Sequence, residues 1–151
     1  MSLIEFKDLP DTTTPITADN LNNNFNELKG EVLYNTTGDS ATTLTLNDDI
    51  ENYETFEIVY KIINIDNDVT LGTGSAKGIV GESCLIGAIH NGYYNDISSY
   101  AMRLYSARVS ISQSTLTKFI GYTFSLKAPN GDVHFQENRN EIFITKVIGY
   151  K

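Results

Sequence analysis

The chain has one cysteine, no tryptophan and three prolines in 151 residues, and its 11 basic residues are outnumbered by 19 acidic ones. Each shortage removes a class of explanation. Cys84 alone forms neither an intramolecular disulfide nor a cysteine-based zinc site. It lies in the apolar run Ser83-Cys84-Leu85-Ile86-Gly87-Ala88-Ile89 and reads as a small buried hydrophobe. Binding to DNA or an anionic membrane needs clustered Lys and Arg. Here the basic residues are scattered, the net charge is −8 and the pI is about 4.6. Nucleic acid is therefore not an expected partner. About 18 consecutive apolar residues would be needed for a membrane helix, and no such run occurs. Met1-Ser2-Leu3-Ile4-Glu5-Phe6-Lys7-Asp8 lacks the basic and long apolar regions of a signal peptide. The expectation is a protein made in the cytoplasm, without membrane insertion, and delivered to any surface by other means.

What the chain does have is β-forming material. Nine Tyr and seven Phe, with many Ile, Val and Thr, favour pleated sheet, where branched and aromatic side chains pack well. Three segments are expected. Residues 1–16 hold Pro10 and Pro15, which disfavour helix in the residue before each, and read as extended. Residues 17–30 read as a short helix with Thr17 as N-cap and Asp19 well placed against its dipole. Ala18, Leu21, Phe25, Leu28 and Val32 recur at spacings of three and four, the seam of a coiled coil, and Gly30 suits the stop. A helix this short must pack on something. Its stripe is a single residue wide and suits partner helices with the same stripe, although docking on the chain's own sheet also remains open.

From 31 to 151 the period changes to two. Strands are expected at 32–34, 43–46, 56–63, 83–90, 100–112, 115–126 and 141–149. In the third, Phe56, Ile58, Tyr60 and Ile62 mark one face. Turns are expected at 35–40, 47–49, 64–68, Asn91-Gly92 and 130–132. The expected fold is mainly β, an antiparallel, jelly-roll-like sandwich. Gly72-Thr73-Gly74-Ser75-Ala76-Lys77-Gly78 reads as a flexible loop, because it lacks the G-K-[ST] ending and following helix of a phosphate loop. Asn64, Asp66 and Asp68 begin like a calcium loop, but Val69 and Ser75 stand where Gly and Glu are required, so a hairpin turn is expected.

Catalytic signals are weak. His90 and His134 have no nucleophile motif near them. Asp48, Asp49, Glu51, Glu54 and Glu57 read as a solvated face rather than a glycosidase pair. No catalytic residue, cofactor or metal is expected. One segment suggests binding: Tyr93, Tyr94, Asn95, Asp96 and Tyr100, with Arg103 and Tyr105 on the following strand. Tyrosine offers a flat amphipathic platform to a sugar ring, with Asp and Asn bonding its hydroxyl rim. The same residues equally suit the cap of a sandwich or a subunit interface.

Three stretches carry a family resemblance. Residues 6–22, with Thr14-Pro15-Ile16-Thr17-Ala18-Asp19-Asn20-Leu21-Asn22, resemble the start of many tail-fibre and minor tail proteins from phages of Gram-positive hosts. Leu46-Asn47-Asp48-Asp49-Ile50-Glu51-Asn52-Tyr53 resembles a stretch leading into an early strand of their heads. Ile142-Phe143-Ile144-Thr145-Lys146-Val147-Ile148-Gly149-Tyr150-Lys151 is similar to their common C-terminus. The resemblance implies a homotrimeric virion-tail protein, its helices bundled on a three-fold axis. Its β-heads would contact a host cell-wall saccharide or another tail or baseplate protein. No shaft or collagen-like repeat is present, so the form expected is compact. The central part, residues 64–128, lies outside the resemblance, and no receptor-binding residue is transferred.

Overall fold

The computed structural model describes residues 29–64, 68–93, 100–120, 123–127, 132–136 and 140–151. The expected extended segment and the helix at 17–28, with Ala18, Leu21, Phe25 and Leu28, lie outside them. Val32 does not continue a helix. It sits in the first strand, β1 (Glu31–Asp39), opposite Ile148 and 46% exposed. The helical spacing therefore ends before it, because pairing into a sheet claims the backbone of Glu31 and Val32.

Nine further strands follow: β2 (Thr43–Thr45), β3 (Thr55–Asn64), β4 (Val69–Ile79), β5 (Cys84–Tyr93), β6 (Tyr100–Ser112), β7 (Thr115–Ile120), β8 (Thr123–Lys127), β9 (Asp132–Gln136) and β10 (Ile142–Tyr150). They form two antiparallel sheets. The first has the order β1-β10-β3-β4. In the second, β6 is flanked by β5 on one side and by β7 and β8 on the other, with β2 beside β7 and β9 beside β8. β7 and β8 run end to end along β6, the register advancing by one residue between them. The single strand expected at 115–126 is thus two strands, and β9 answers to no expected element.

The inner faces follow the period-two reading. Phe56, Ile58, Tyr60 and Ile62 of β3 are buried, as are Tyr105, Ala107, Val109 and Ile111 of β6. Leu33, Leu44, Leu116, Ile144 and Val147 join them in one core shared by both sheets. Ile63, expected on the outer face, is also buried; the β3–β4 register shifts between Ile62 and Ile63 and turns it inward. Cys84 lies in this core, and burial pushes its thiol pKa up.

The glycine-rich run is not a loop. Residues 72–78 form the middle of β4, fully paired with β3. The reason is steric. A Cβ at Gly74 would come within 2.8 Å of the Tyr60 ring, and one at Gly78 within 2.3 Å of Phe56. The two rings lie over the glycine backbone and supply the apolar cover that β4 lacks, as aromatic residues do beside glycines at sheet edges. The Tyr60 hydroxyl then reaches the other sheet, donating to the Gly87 carbonyl at 2.6 Å. Asn91-Gly92 is no turn either, for β5 continues through it, opposite Met102 and Ala101. Residues 65–67 of the turn expected at 64–68 lie outside the described residues; on either side of them Asn64 pairs with Val69, and Asp68 has φ 54°, the left-handed conformation Asp tolerates.

Candidate functional site

Two stretches of the family resemblance fold into one structure where the described chain begins. Asp49 caps a single 3-10 turn, Ile50–Asn52, accepting from the Glu51 N–H, and Ile50 is buried. The turn aims Tyr53 across the base of the first sheet. Its ring lies over Gly149, where a Cβ would come within 2.6 Å of it. Its hydroxyl stands 2.8 Å from Glu31 Oε2 and 3.0 Å from Asp48 Oδ2. Burial and these two carboxylates raise the Tyr53 pKa well above the ordinary phenol value. The Asp49 N–H, then the Tyr53 hydroxyl, lower that of Asp48. The Lys151 ammonium lies 5.4 Å from the Tyr53 ring centre, within cation–π range. Glu54 N–H donates to the Tyr150 carbonyl at 2.8 Å. Gly30 completes the base: φ is +69°, and a side chain would meet the Tyr150 ring. Residues 30–31, 48–53 and 149–151 are therefore one cluster, here called the neck, at the end of the first sheet where the described residues begin.

The tyrosine-rich segment is only partly placed. Tyr93 and Tyr100 stand opposite each other as the last register pair of β5 and β6. Tyr94, Asn95 and Asp96 lie outside the described residues. Arg103 is half-buried, two residues along β6 from Tyr105 and on the same side of the strand. Tyr105 is corrected. It is 1% exposed, among the largest fully buried side chains, and cannot meet a ligand from solvent. Alternation on β6 turns it into the core.

The outer faces of the two sheets differ. On the first, Tyr150 donates to Glu57 Oε2 at 3.0 Å and the Lys77 ammonium stands 5.3 Å from the Tyr150 ring centre. A hydrogen bond from Ser75, then one from Tyr150, hold the Glu57 carboxyl below its ordinary range. On the second, large apolar side chains face outward. Leu85 is 76% exposed and Ile89 63%, with Leu104 and Phe119 exposed beside them. Leu85, Arg108 and Phe119 form one cross-strand row, and Ile89 and Leu104 another. The Arg108 guanidinium lies 4.7 Å from the Phe119 ring centre. This face was not anticipated, though a signal existed. Cys84-Leu85-Ile86 is apolar at consecutive positions, the mark of a strand with both faces covered.

Buried polar chemistry gathers at another edge. Lys118, 2% exposed, donates from Nζ to the Ile142 carbonyl at 2.6 Å, near Ser40. Burial lowers its pKa to about 8, against a smaller opposing effect from Asp39. Asn140 donates to the Ser40 carbonyl as well. Tyr34 donates to Asp39 at 2.8 Å, and burial followed by that bond pushes the phenol up to about 12. These contacts tie β1, β7 and β10 together. His90 and His134 stand in β5 and β9, opposite Arg103 and Ser125. Among the described residues no three His, Cys, Asp or Glu side chains converge as metal ligands, and no helix is long and apolar enough to cross a membrane.

No protein-family profile matches the chain, and no curated protein matches it.

Proposed function

We propose that this protein works by binding and assembly rather than catalysis, as a homotrimeric tail-fibre or receptor-binding head of the phage-tail type. A bundle of short N-terminal helices carries jelly-roll-like heads that engage a host cell-wall saccharide. The observation that supports this reading is the neck. Two of the three stretches that resemble tail proteins, far apart in sequence, meet there through Tyr53, Gly149, Glu31 and Asp48. They surround the point where the seam-bearing N-terminal segment joins the head, so these motif residues serve the stalk–head joint. Receptor choice then belongs elsewhere, at the end of the β5–β6 hairpin with Tyr93, Tyr94, Asn95, Asp96, Tyr100 and Arg103.

Light scattering of the purified chain tests the assembly, with a particle of about three times the 16.8 kDa chain mass expected. Pull-down on host cell-wall polysaccharide tests the receptor role. Tyr93→Ala combined with Tyr94→Ala should abolish retention while leaving the particle mass intact. A monodisperse monomer would sink the stalk.

A second reading is a structural tail or baseplate subunit with no glycan site. The exposed Leu85, Ile89, Leu104 and Phe119 favour it, since an apolar sheet face suits a protein partner better than a sugar. Particles of trimer mass that ignore every polysaccharide would select it.

A further inference from the structure

We propose that the outer face of the second sheet, centred on Leu85, Ile89, Leu104 and Phe119, is the surface on which a second copy of this chain packs. The proposal rests on the assembly part of the function above and adds where the heads themselves meet. Two observations carry it besides the exposed apolar side chains.

The first is charge. The chain carries 19 acidic residues and a net charge of −8, so two copies approaching at random set carboxylates against carboxylates. None of the 19 falls in β5, β6, β7 or β8. The same four strands hold Arg103, Arg108, Lys118 and Lys127. Lys118 is turned inward, and Arg108 is drawn over its own Phe119 ring. The outer face is thus a region where a copy can dock without opposing carboxylates. A cationic partner would choose the acidic surfaces instead. A saccharide would need a rim of hydrogen-bonding groups, and among the described residues only Gly87 and Ser106 stand between the two apolar rows.

The second is size. Three strands abreast at about 4.8 Å (β5, β6 and the end-to-end β7 and β8), ten residues long at about 3.4 Å each, present a face on the order of 500 Å² before side-chain relief is counted. A standard interface takes roughly 800 Å² from each partner. The face is thus smaller than a standard interface alone but substantial as an addition to a helical seam.

Site-directed photo-crosslinking of the full chain tests the proposal. A benzophenone maleimide is attached at Ser106→Cys, in the middle of the patch; Cys84 is buried and remains unlabelled. Irradiation should yield a covalent dimer of this chain. The same label at Thr73→Cys, exposed on the outer side of β4, should yield at least about tenfold less, the ratio expected from burying one aliphatic side chain. Ile89→Glu in the Ser106-labelled chain should lower the dimer yield by a similar factor without changing the melting temperature. Equal yields from the two label sites, no response to Ile89→Glu, or capture only of some other molecule would each overturn it. The two readings fail separately. Trimer mass without a position-106 product removes the face and leaves the stalk. A position-106 product that survives Phe25→Asp, with no particle larger than a dimer, removes the stalk and leaves the face.

Discussion

The two sheets are alike inside and unlike outside. Both turn alternate aliphatic and aromatic residues into one core, Phe56 to Ile62 from the first and Tyr105 to Ile111 from the second. Outside, the first sheet carries a polar cluster in which Tyr150, Glu57, Ser75 and Lys77 satisfy one another. That sheet also exposes Val32, Val69 and Ile79, on the strands at its two edges, whereas the second carries Leu85, Ile89, Leu104 and Phe119 into solvent in two neighbouring cross-strand rows. Folding accounts for the inner faces, since burying them drives collapse. It does not account for the outer difference, because a monomer gains little by exposing four large apolar side chains on one surface. The apolar rows of the second sheet are the part of that difference which the proposed contact between heads would cover.

Substitutions ranked by expected effect sharpen that contrast. The largest belongs inside. Phe56→Ala empties the space over Gly78 and should cost about 3–5 kcal/mol of unfolding free energy, measured by urea denaturation. Gly78→Val attacks the same contact from β4. Its Cβ would lie 2.3 Å from the Phe56 ring, so the ring must shift, at a cost of roughly 1–3 kcal/mol. A glycine in a flexible loop would accept valine with little change, so this variant separates a packed strand from a loop.

A pH series probes Lys118, the inward-facing cation of the second sheet. Its folded pKa of about 8 lies below the unfolded value of 10.5. Between those values the unfolded chain holds a proton that the folded chain has released, so stability rises with pH through that window. Relative to Lys118→Met, the wild type should gain stability from about pH 8 upward, and a difference that stays flat would contradict the buried charge. On the acid side the slope has the same sign for Asp39, Asp48 and Glu57, whose folded pKa values are lowered. The stability they contribute is present above the ordinary carboxylate range and lost as pH falls below it.

The smallest expected effect is the most informative about the outer faces. Ile89→Glu should leave the melting behaviour of the isolated head within about 0.5 kcal/mol of wild type, as for other exposed positions. If it unfolds the protein, the face is part of the monomer's own core, and the contrast between inside and outside fails.

Period-two alternation was enough to find β3, β6 and β10 and to name the buried face of β3, because a strand's side chains alternate wherever it sits. The charge balance and the lone buried cysteine were equally legible, being properties of composition. What alternation could not show was pairing. Residues 72–78 read as a loop because glycine has no side chain to signal a face; only the Tyr60 and Phe56 rings, brought alongside by β3, make them a strand. Asn91-Gly92 read as a turn for the same reason, since its partners Met102 and Ala101 lie eleven and nine residues further on. Tyr105 read as a ligand contact until alternation on β6 was set against a second sheet that buries it. The neck joins residues 30, 53 and 150, and the apolar outer face gathers β5, β6 and β7. Local propensity is written in neighbouring residues, whereas a surface is made by strands that meet only once the chain has folded.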